Sequence, residues 1–296
     1  MKLATNEKKL VEVALLAEVT NPPAGMKHYI VSAVTGEPLT LPGMGGINYS
    51  HRIGDNCIDI VGDHVEPGVS VSNFNESFGK SAGTFGLTVF SCIGNEATLV
   101  TGEAKGKKGV VTGKHGGIEH VILDFQPEVR DKLVIGDKVQ IRAVGTGLAF
   151  TNFEGVKLLN LSPRLLKAMS PQAVGKHIEI GVTHLIPAAV MASGIGKDSA
   201  HTGDYDIQLF DPVVVKKYGL DTLRFGDIVA IMDADTTFGR TYLTGAVTIA
   251  VVVHGVCHTA GHGPGATSLM TSAKGLIKPV IRKDANLAHL LKLLKR

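Results

Sequence analysis

Tryptophan is absent from this sequence, and the other aromatic residues are few. The chain of 296 residues has no Trp, 5 Tyr and 10 Phe, whereas proteins that bind single-stranded nucleic acids stack bases on such rings. The 30 basic residues barely outnumber the 27 acidic ones, so net charge does not indicate a polyanionic partner either. Both observations argue against nucleic acid as a partner.

Cysteine is scarce as well. Cys57, Cys92 and Cys257 are odd in number and far apart, which excludes a disulfide framework and a C-x-x-C metal knuckle. Free thiols fit a reducing compartment. The first apolar run, from Leu10 to Val19, is interrupted by two glutamates and does not resemble an export signal. The sequence therefore predicts a cytoplasmic protein.

No hydrophobic run is long enough to suggest a membrane span. Residues 241–273 contain no Asp, Glu, Lys or Arg, but their apolar part extends only from Ala246 to Val253, and histidines and glycines follow. This pattern predicts a buried strand that enters a loop. The same uncharged strand is a candidate subunit interface, which would make the protein a homo-oligomer.

Glycine, in contrast, is abundant. Its 36 residues imply many tight turns and favour β-structure. β-branched and aromatic residues predict a buried strand over Thr84–Ile93. Ser162-Pro163 and Ser170-Pro171 each place a capping residue before a proline and predict two short helices. Leucines at helical spacing predict a C-terminal helix within Asp284–Arg296.

A short pattern occurs twice in the chain. Phe125-Gln126-Pro127 precedes the segment Leu133–Ile141, and Phe210-Asp211-Pro212 precedes Leu223–Ile231. Each copy has a proline suited to the start of a short helix, a Gly-Asp pair suited to a turn, and then alternating apolar residues typical of a half-buried strand. We interpret the two copies as a diverged repeat of strand, helix, turn and strand.

These features predict a mainly β fold, of the β-rich α+β class, with two related barrel- or sandwich-like halves, short helices and a C-terminal helix. We place the halves at residues 1–160 and 161–296, because the two proline-initiated helices mark a joint. Only the second copy of the repeat gains carboxylates after its strand, at Asp233 and Asp235. Two interpretations explain these carboxylates. One is a functional site added to one copy of the repeat, and the other is a solvated turn.

Acidic residues and a histidine cluster in one otherwise apolar stretch. Asp63, His64 and Glu66 lie close together there. Carboxylates beside an imidazole suit metal binding or general acid–base catalysis, and an ordinary surface loop is the alternative. A second acidic pair, Asp204 and Asp206, alternates along a predicted strand and would share one face. On an open sheet we expect that face to be solvated.

Three histidines recur at four-residue intervals, at His254, His258 and His262. Neighbouring glycines argue against a metal-binding helix, and in a strand His254 and His258 would lie about 13 Å apart, too far to bind one ion. One hypothesis is a glycine loop that offers N–H groups and hydroxyls to an anion or carbonyl, with His262 as proton carrier. A structural turn is the other. The ligand-binding residues of the first hypothesis are Gly261, Gly263, Gly265, Thr267 and Ser268.

Two resemblances to known families can be stated. The segments Gly62–Ser70, Gly203–Gln208 and Gly261–Gly265 resemble a prokaryotic family of unknown function, and the likeness spans most of the chain. It implies an intracellular bacterial or archaeal protein and supplies no catalytic residues. Residues 106–117 resemble the KOW motif, a small-barrel hairpin of ribosome- and transcription-associated proteins, whose lysines would contact phosphates.

The sequence lacks the H-E-x-x-H zinc motif, the G-x-S-x-G elbow and the phosphate loop. Our leading hypothesis is a hydrolase of a small amide or ester, with a divalent metal as cofactor, a small-molecule ligand, and a site between the two halves. Its residues are His64, Glu66 and His262 for catalysis, and Asp63, Asp233 and Asp235 for the metal. The alternative is a non-catalytic β-barrel module that binds a small ligand or RNA through Lys107, Lys108 and the glycine loops.

Overall fold

Strands dominate the protein, as the sequence predicts. The structure is a computed structural model that describes residues 2–22, 29–73, 82–194 and 198–293, without the side chains of residues 82–84. In chain order the strands are β1 (Val13–Val19), β2 (Ile30–Val31), β3 (Pro38–Leu39), β4 (Val69–Ser72), β5 (Glu96–Leu99), β6 (Lys108–His115), β7 (His120–Asp124), β8 (Lys138–Ala143), β9 (Lys157–Leu158), β10 (Gln172–Val174), β11 (His177–Val182), β12 (His184–Pro187), β13 (Ile228–Asp235), β14 (Thr241–Val252), β15 (Ala266–Ser272) and β16 (Ile277–Ile281). The α-helices are α1 (Ala82–Phe90), α2 (Pro127–Arg130), α3 (Pro163–Met169), α4 (Pro212–Tyr218) and α5 (Leu287–Leu290), and short 3₁₀ turns cover Glu7–Lys9, Ala188–Val190 and Leu220–Thr222.

The first half of the chain closes into a barrel. Its strand order is β1-β4-β7-β6-β5-β8, and each neighbouring pair is antiparallel. Along β8, buried Val139, Ile141 and Ala143 alternate with exposed residues, because successive side chains of a strand point to opposite faces. The inward residues form the core of the barrel.

The second half forms two sheets, and the larger one also includes β9 of the first half. One has five strands in the order β12-β13-β14-β15-β9, and the other has three in the order β10-β11-β16. In the larger sheet, Ile228–Ile231 of β13 and Ala246–Val252 of β14 are continuously buried, as expected for strands covered on both faces. The buried part of β14 pairs with β13 and β15. This corrects the expectation that it serves as a subunit interface.

Both copies of the repeated pattern form a short helix, a turn and a strand. Gly136 and Gly226 occupy the turns with positive φ angles, a backbone region that glycine enters without strain. The following Asp137 accepts a hydrogen bond from the backbone N–H of Val134 at 3.0 Å, and Asp227 accepts one from Arg224 at 2.9 Å. The same turn chemistry is therefore used twice, before β8 and before β13.

Three predictions of local secondary structure have different outcomes. The sequence predicts a strand over residues 84–93, but α1 covers most of them and packs against β1 and β7. Strand propensity depends strongly on context, and here tertiary packing determines the secondary structure. Ser162 does cap α3, accepting a hydrogen bond from Leu165 N–H at 3.1 Å. Ser170 instead ends α3 with φ 48°, so Pro171 follows a helix rather than starting one.

The C-terminal helix is present as α5, where the Asn286 side chain accepts a hydrogen bond from Ala288 N–H at 2.8 Å. It ends at Leu290, and the predicted continuation at Leu294 lies outside the described residues. One hydrophobic core runs through both halves. No helix in the described part of the chain is long and apolar enough to cross a membrane.

The KOW resemblance is not confirmed. Lys114, one of the lysines in that segment, is fully buried in β6, and burial lowers its pKa to about 8. Its Nζ donates to Asn160 Oδ1 at 2.9 Å and to the His201 carbonyl at 3.1 Å. This lysine stabilises the contact between the two halves and is not accessible to a phosphate.

Candidate metal centre

Four histidines from four separate segments meet where the two halves join. His64 precedes β4, His115 ends β6, His254 follows β14 and His262 precedes β15. The ring centroids of His115 and His254 are 4.2 Å apart, those of His64 and His254 5.1 Å, and those of His64 and His262 5.3 Å. The fold thus concentrates imidazoles that lie far apart in the sequence.

Three of these rings are held through the same nitrogen. His64 Nδ1 lies 2.7 Å from Asp63 Oδ2, and His115 Nδ1 lies 2.5 Å from Glu66 Oε1. His254 Nδ1 lies 3.0 Å from the backbone carbonyl oxygen of the next residue. Metal-binding histidines are usually oriented in this way, by an acceptor on one nitrogen that leaves the other to bind the ion. The other nitrogen, Nε2, of His64 then lies 3.4 Å from His262 Nδ1, and that of His254 lies 2.7 Å from Asp204 Oδ2.

A carboxylate completes the candidate ligand set. Asp204 Oδ2 lies 2.7 Å from His254 Nε2 without hydrogen-bond geometry, and neither atom has another hydrogen-bond partner among the described residues. Candidate ligand atoms of His115, Asp204 and His254 all lie within 4.8 Å of one another, and all three residues are buried. Ligands about 2.0–2.2 Å from one ion lie roughly 3–4 Å apart, so small adjustments would bring the three onto a shared cation.

The backbone around Asp204 is shaped to fit it. Gly116 N–H donates to Asp204 Oδ1 at 2.7 Å, which leaves Oδ2 for the site. A Cβ atom on Gly265 would lie 1.9 Å from Asp204 Oδ2 and 2.3 Å from His254 Nε2. Any larger residue there would therefore overlap both candidate ligands. Glycine is required at this position because two side chains occupy the space of its missing Cβ.

Glu66 supports the site from behind. Its side chain is fully buried, and besides His115 it accepts hydrogen bonds from Gly45 N–H at 2.7 Å and from the Ser70 hydroxyl. His120 Nδ1 lies 2.9 Å from Glu66 Oε2. Burial by itself would raise the pKa of Glu66, but the charges and hydrogen bonds of His120 and His115 lower it well below its usual value. Glu66 is thus held as a carboxylate.

A row of hydrogen-bonding side chains extends from the interior to the surface of the site. Asp63 holds His64, whose Nε2 lies 3.4 Å from His262 Nδ1, and the same nitrogen of His262 lies 2.9 Å from Asp206 Oδ2. His262 is 37% exposed, whereas Asp206 is nearly buried. The four groups lie in the order carboxylate, imidazole, imidazole, carboxylate. Such a row is suited to moving a proton between the cavity and the interior.

The pKa shifts follow from these contacts. Burial alone would lower the pKa of His254, but Asp204 and Asp206 raise it well above its usual value, and the pKa of Asp204 is lowered in turn by His254 against the effect of burial. Burial outweighs Asp63 and lowers the pKa of His64. The hydrogen bond that the His262 ring donates to Asp206 raises the pKa of His262.

A second group also brings three potential ligands within 4.8 Å of one another, at His64, Cys257 and His262. Burial and the charge of Asp63 raise the pKa of the Cys257 thiol, which disfavours the thiolate that binds metals. The buried group around Asp204 is the stronger candidate.

A cavity of about 280 Å³ opens beside the cluster. His64, His115, Asp204 and His262 form part of its wall, and Arg240 lines it as well. Its volume lies near the lower end of the range for small-molecule sites. The arrangement therefore combines potential metal ligands, a proton carrier and space for a small ligand.

The structure brings together part of the predicted site. Asp63, His64 and His262 belong to the cluster, and Glu66 contacts it through His115. Gly265 lies against the candidate ligands. In contrast, Gly261 lies in a turn with φ 76° and open space beside its Cα, and a Cβ on Gly263 would overlap the Ile207 carbonyl, so these glycines serve the path of the loop.

Four predicted residues lie elsewhere. Thr267 and Ser268 were expected in a loop, but both are buried within β15, and the Thr267 hydroxyl donates to the Lys114 carbonyl at 3.2 Å. Asp233 accepts a hydrogen bond from Gly245 N–H at 2.7 Å. Asp235 Oδ1 contacts the hydroxyls of Thr237 and Thr271. None of these partners belongs to the histidine cluster.

Sequence reasoning missed several residues of the centre. The pair Asp204 and Asp206 was recognised but expected to be solvated; their exposures are 8% and 6%, which corrects that expectation. The only sequence feature that points to His115 is its position after a basic stretch, and no sequence feature points to Arg240. Only contacts between segments that are distant in the chain reveal these residues as neighbours.

Family models match both parts of the chain. "Domain of unknown function (DUF4438), N-terminal" matches residues 29–167, and "Domain of unknown function (DUF4438), C-terminal" matches residues 169–291. The chain therefore belongs to this family of unknown function, which confirms the resemblance seen in the sequence. The solved structure "Crystal structure of TM1086" is similar, with 40% sequence identity and a TM-score of 0.90 over 96% of this chain and 98% of that one. No curated protein matches the chain.

Proposed function

We propose that the protein is a metal-dependent hydrolase of a small amide or ester, with a divalent cation bound by His115, Asp204 and His254. The observation that carries this proposal is the buried pair Asp204 Oδ2 and His254 Nε2, 2.7 Å apart and without other hydrogen-bond partners in the described part of the chain. The two atoms form a buried ion pair when His254 is protonated, and a divalent cation that takes the place of that proton would bind both. Two imidazoles and a carboxylate are also a common ligand set of catalytic zinc.

A cation at this position would supply Lewis-acid chemistry, lowering the pKa of a water and polarising a carbonyl group. In the hydrolysis, the water oxygen bonds to the carbonyl carbon and the bond to the leaving oxygen or nitrogen breaks. One proton of the water passes to the leaving atom. His262 borders the cavity and is positioned to carry that proton, with His64 and Asp206 orienting its ring.

The three cysteines are all free and buried. This state is compatible with a reducing compartment, and we extend the proposal to a cytoplasmic location. A small-molecule substrate follows from the size of the cavity, about 280 Å³.

The first test is elemental analysis of protein purified without chelators. We expect about one divalent ion per chain in the wild type and in the control variant His177→Ala, whose side chain lies on β11 away from the cluster. His115→Ala and His254→Ala should each lose the ion, because a coordination set reduced to two ligands binds it weakly. A wild type without a stoichiometric metal, or variants that retain it, would contradict the proposal.

The second step measures hydrolysis of a panel of small chromogenic esters and amides by the metal-loaded protein. His262→Ala should keep the metal and lower kcat by about 10²–10⁴-fold, the usual contribution of a positioned proton carrier. Metal binding without any hydrolysis across the panel would favour the alternative of a binding module. Iron as the only bound metal would point away from hydrolysis as well, because two histidines and a carboxylate also bind the iron of oxygenases.

A further inference from the structure

Arg240 is a buried cation that no described carboxylate pairs with. The side chain is 2% exposed, yet it takes part in no ion pair within 4.0 Å among the described residues. Its Nε has no hydrogen-bond partner there, and its Nη2 makes only a long contact of 3.4 Å with the Thr202 carbonyl. Buried guanidinium groups are normally paired and fully hydrogen-bonded, because an unpaired buried charge is costly.

The guanidinium is nevertheless held in a defined place. It lies 5.7 Å from the ring centroid of Tyr205, and a Cβ on Gly194 would approach its Nη1 to 3.1 Å. Burial lowers the pKa of Arg240, while the charges of Asp204 and Asp206 act in the opposite direction from beyond ion-pair distance, and arginine stays protonated at neutral pH. The site therefore keeps a fixed positive charge with unused donors.

Arg240 lines the same cavity as His64, Asp204 and His262. Met44 and Ile118 add apolar surface to the wall. A ligand that enters this cavity thus meets the proposed metal ligands, a proton carrier, an apolar patch and the donors of one arginine.

We propose that Arg240 binds an anionic group of the substrate, so that the substrate class is a small ester or amide that also carries a carboxylate or a phosphate. Either oxyanion accepts hydrogen bonds from a guanidinium, often two in parallel. The group would supply the missing partner of Arg240 and orient the scissile carbonyl toward Asp204 and His254. This inference rests on the proposed hydrolase function for the choice of ester or amide, but anion binding by Arg240 can be tested separately.

The test is calorimetric titration of the full chain with two probes, inorganic phosphate and succinate, both in the metal-loaded and in the chelator-treated, dialysed protein. We expect at least one probe to bind the wild type. Arg240→Met should weaken that binding at least tenfold in both states, while its metal content stays at the wild-type level. Arg164→Met, which removes an equal charge from an exposed position of α3, should bind like the wild type.

The two probes also separate the two sources of the anion. Loss of succinate binding alone would assign a carboxylate, and loss of phosphate binding alone would assign a phosphate group. If Arg240→Met fails to fold, Arg240→Lys carries the test, because it keeps the charge but loses the two-donor geometry and should bind more weakly than the wild type.

Binding of neither probe by the wild type, or unchanged binding by Arg240→Met, would overturn the inference. A wild type that lacks metal but shows Arg240-dependent anion binding would overturn the hydrolase proposal and leave the anion site standing.

Discussion

At the scale of single residues, Glu66 shows how a buried charge supports a site that it does not enter. Four groups donate to its carboxylate, and one of them is the ring of His115. The hydrogen bond from Nδ1 to a carboxylate fixes the ring and directs Nε2 toward the candidate cation. In the proposed hydrolase, Glu66 would therefore act by positioning His115.

This role predicts the behaviour of Glu66→Gln. The amide keeps the shape of the side chain but removes its charge, so the metal affinity should fall about 10–100-fold, as is typical for such supporting residues. Competition with a chromogenic chelator measures the affinity, and circular dichroism checks the fold. Glu179→Gln, at a half-buried position of β11 where the carboxylate pairs with Lys278, is the control. Unchanged affinity in Glu66→Gln would show that the His115 ring needs no carboxylate.

At the scale of elements, the centre is built from strand ends and loops. His115 lies at the end of β6, and His254 directly follows β14, so the rigid barrel and the large sheet fix both rings. Asp204 is on a loop that is tied to the next segment by the bridge between Asp206 and Gly265. Sites made this way combine a rigid scaffold with loops that carry the chemistry.

Gly265→Ala tests how closely that loop is fitted. The added methyl group would lie within 2.3 Å of His254 Nε2 and closer still to Asp204 Oδ2, so at least one ligand must move. We expect loss of stoichiometric metal, measured by elemental analysis, with a Tm lower than that of the wild type. Gly86→Ala, in α1 where the new methyl has room, should retain the metal. Full metal content in Gly265→Ala would exclude Asp204 and His254 as joint ligands.

At the scale of the whole molecule, the candidate ligands come from both halves. His115 belongs to the barrel, and Asp204 and His254 belong to the second half. The same junction contains the bonds from Lys114 Nζ to Asn160 and His201. A cation bound here would therefore hold the two halves together in the native state only, and would stabilise folding by mass action.

The corresponding prediction concerns heat stability. At a free metal concentration of 100 times Kd the stabilisation is about 2.7 kcal/mol, which corresponds to a rise in Tm of about 4 °C for a chain of this size. Chelator should lower the Tm of the wild type by that amount, and calorimetry measures it. His254→Ala should have a Tm that does not respond to chelator. An equal response in this variant would place the metal elsewhere.

The sequence by itself determined the fold class, the family resemblance and the local turn chemistry. Glycine-rich turns, alternating strands and the Gly-Asp turns before β8 and β13 depend on neighbours in the chain, which a sequence shows directly. It also brought Asp63, His64 and His262 into one hypothesis, because imidazoles and carboxylates are conspicuous among apolar residues.

Tertiary structure decided the rest. The helix α1 replaced the predicted strand because packing against the barrel outweighs a small difference in propensity. The burial of Asp204 and the neighbours of His115 and Arg240 depend on contacts between distant segments of the chain. Gly116 and Asp204 are separated by 88 residues, and Arg240 and Thr202 by 38. A ligand set needs convergence in space, and sequence patterns report only the spacing along the chain.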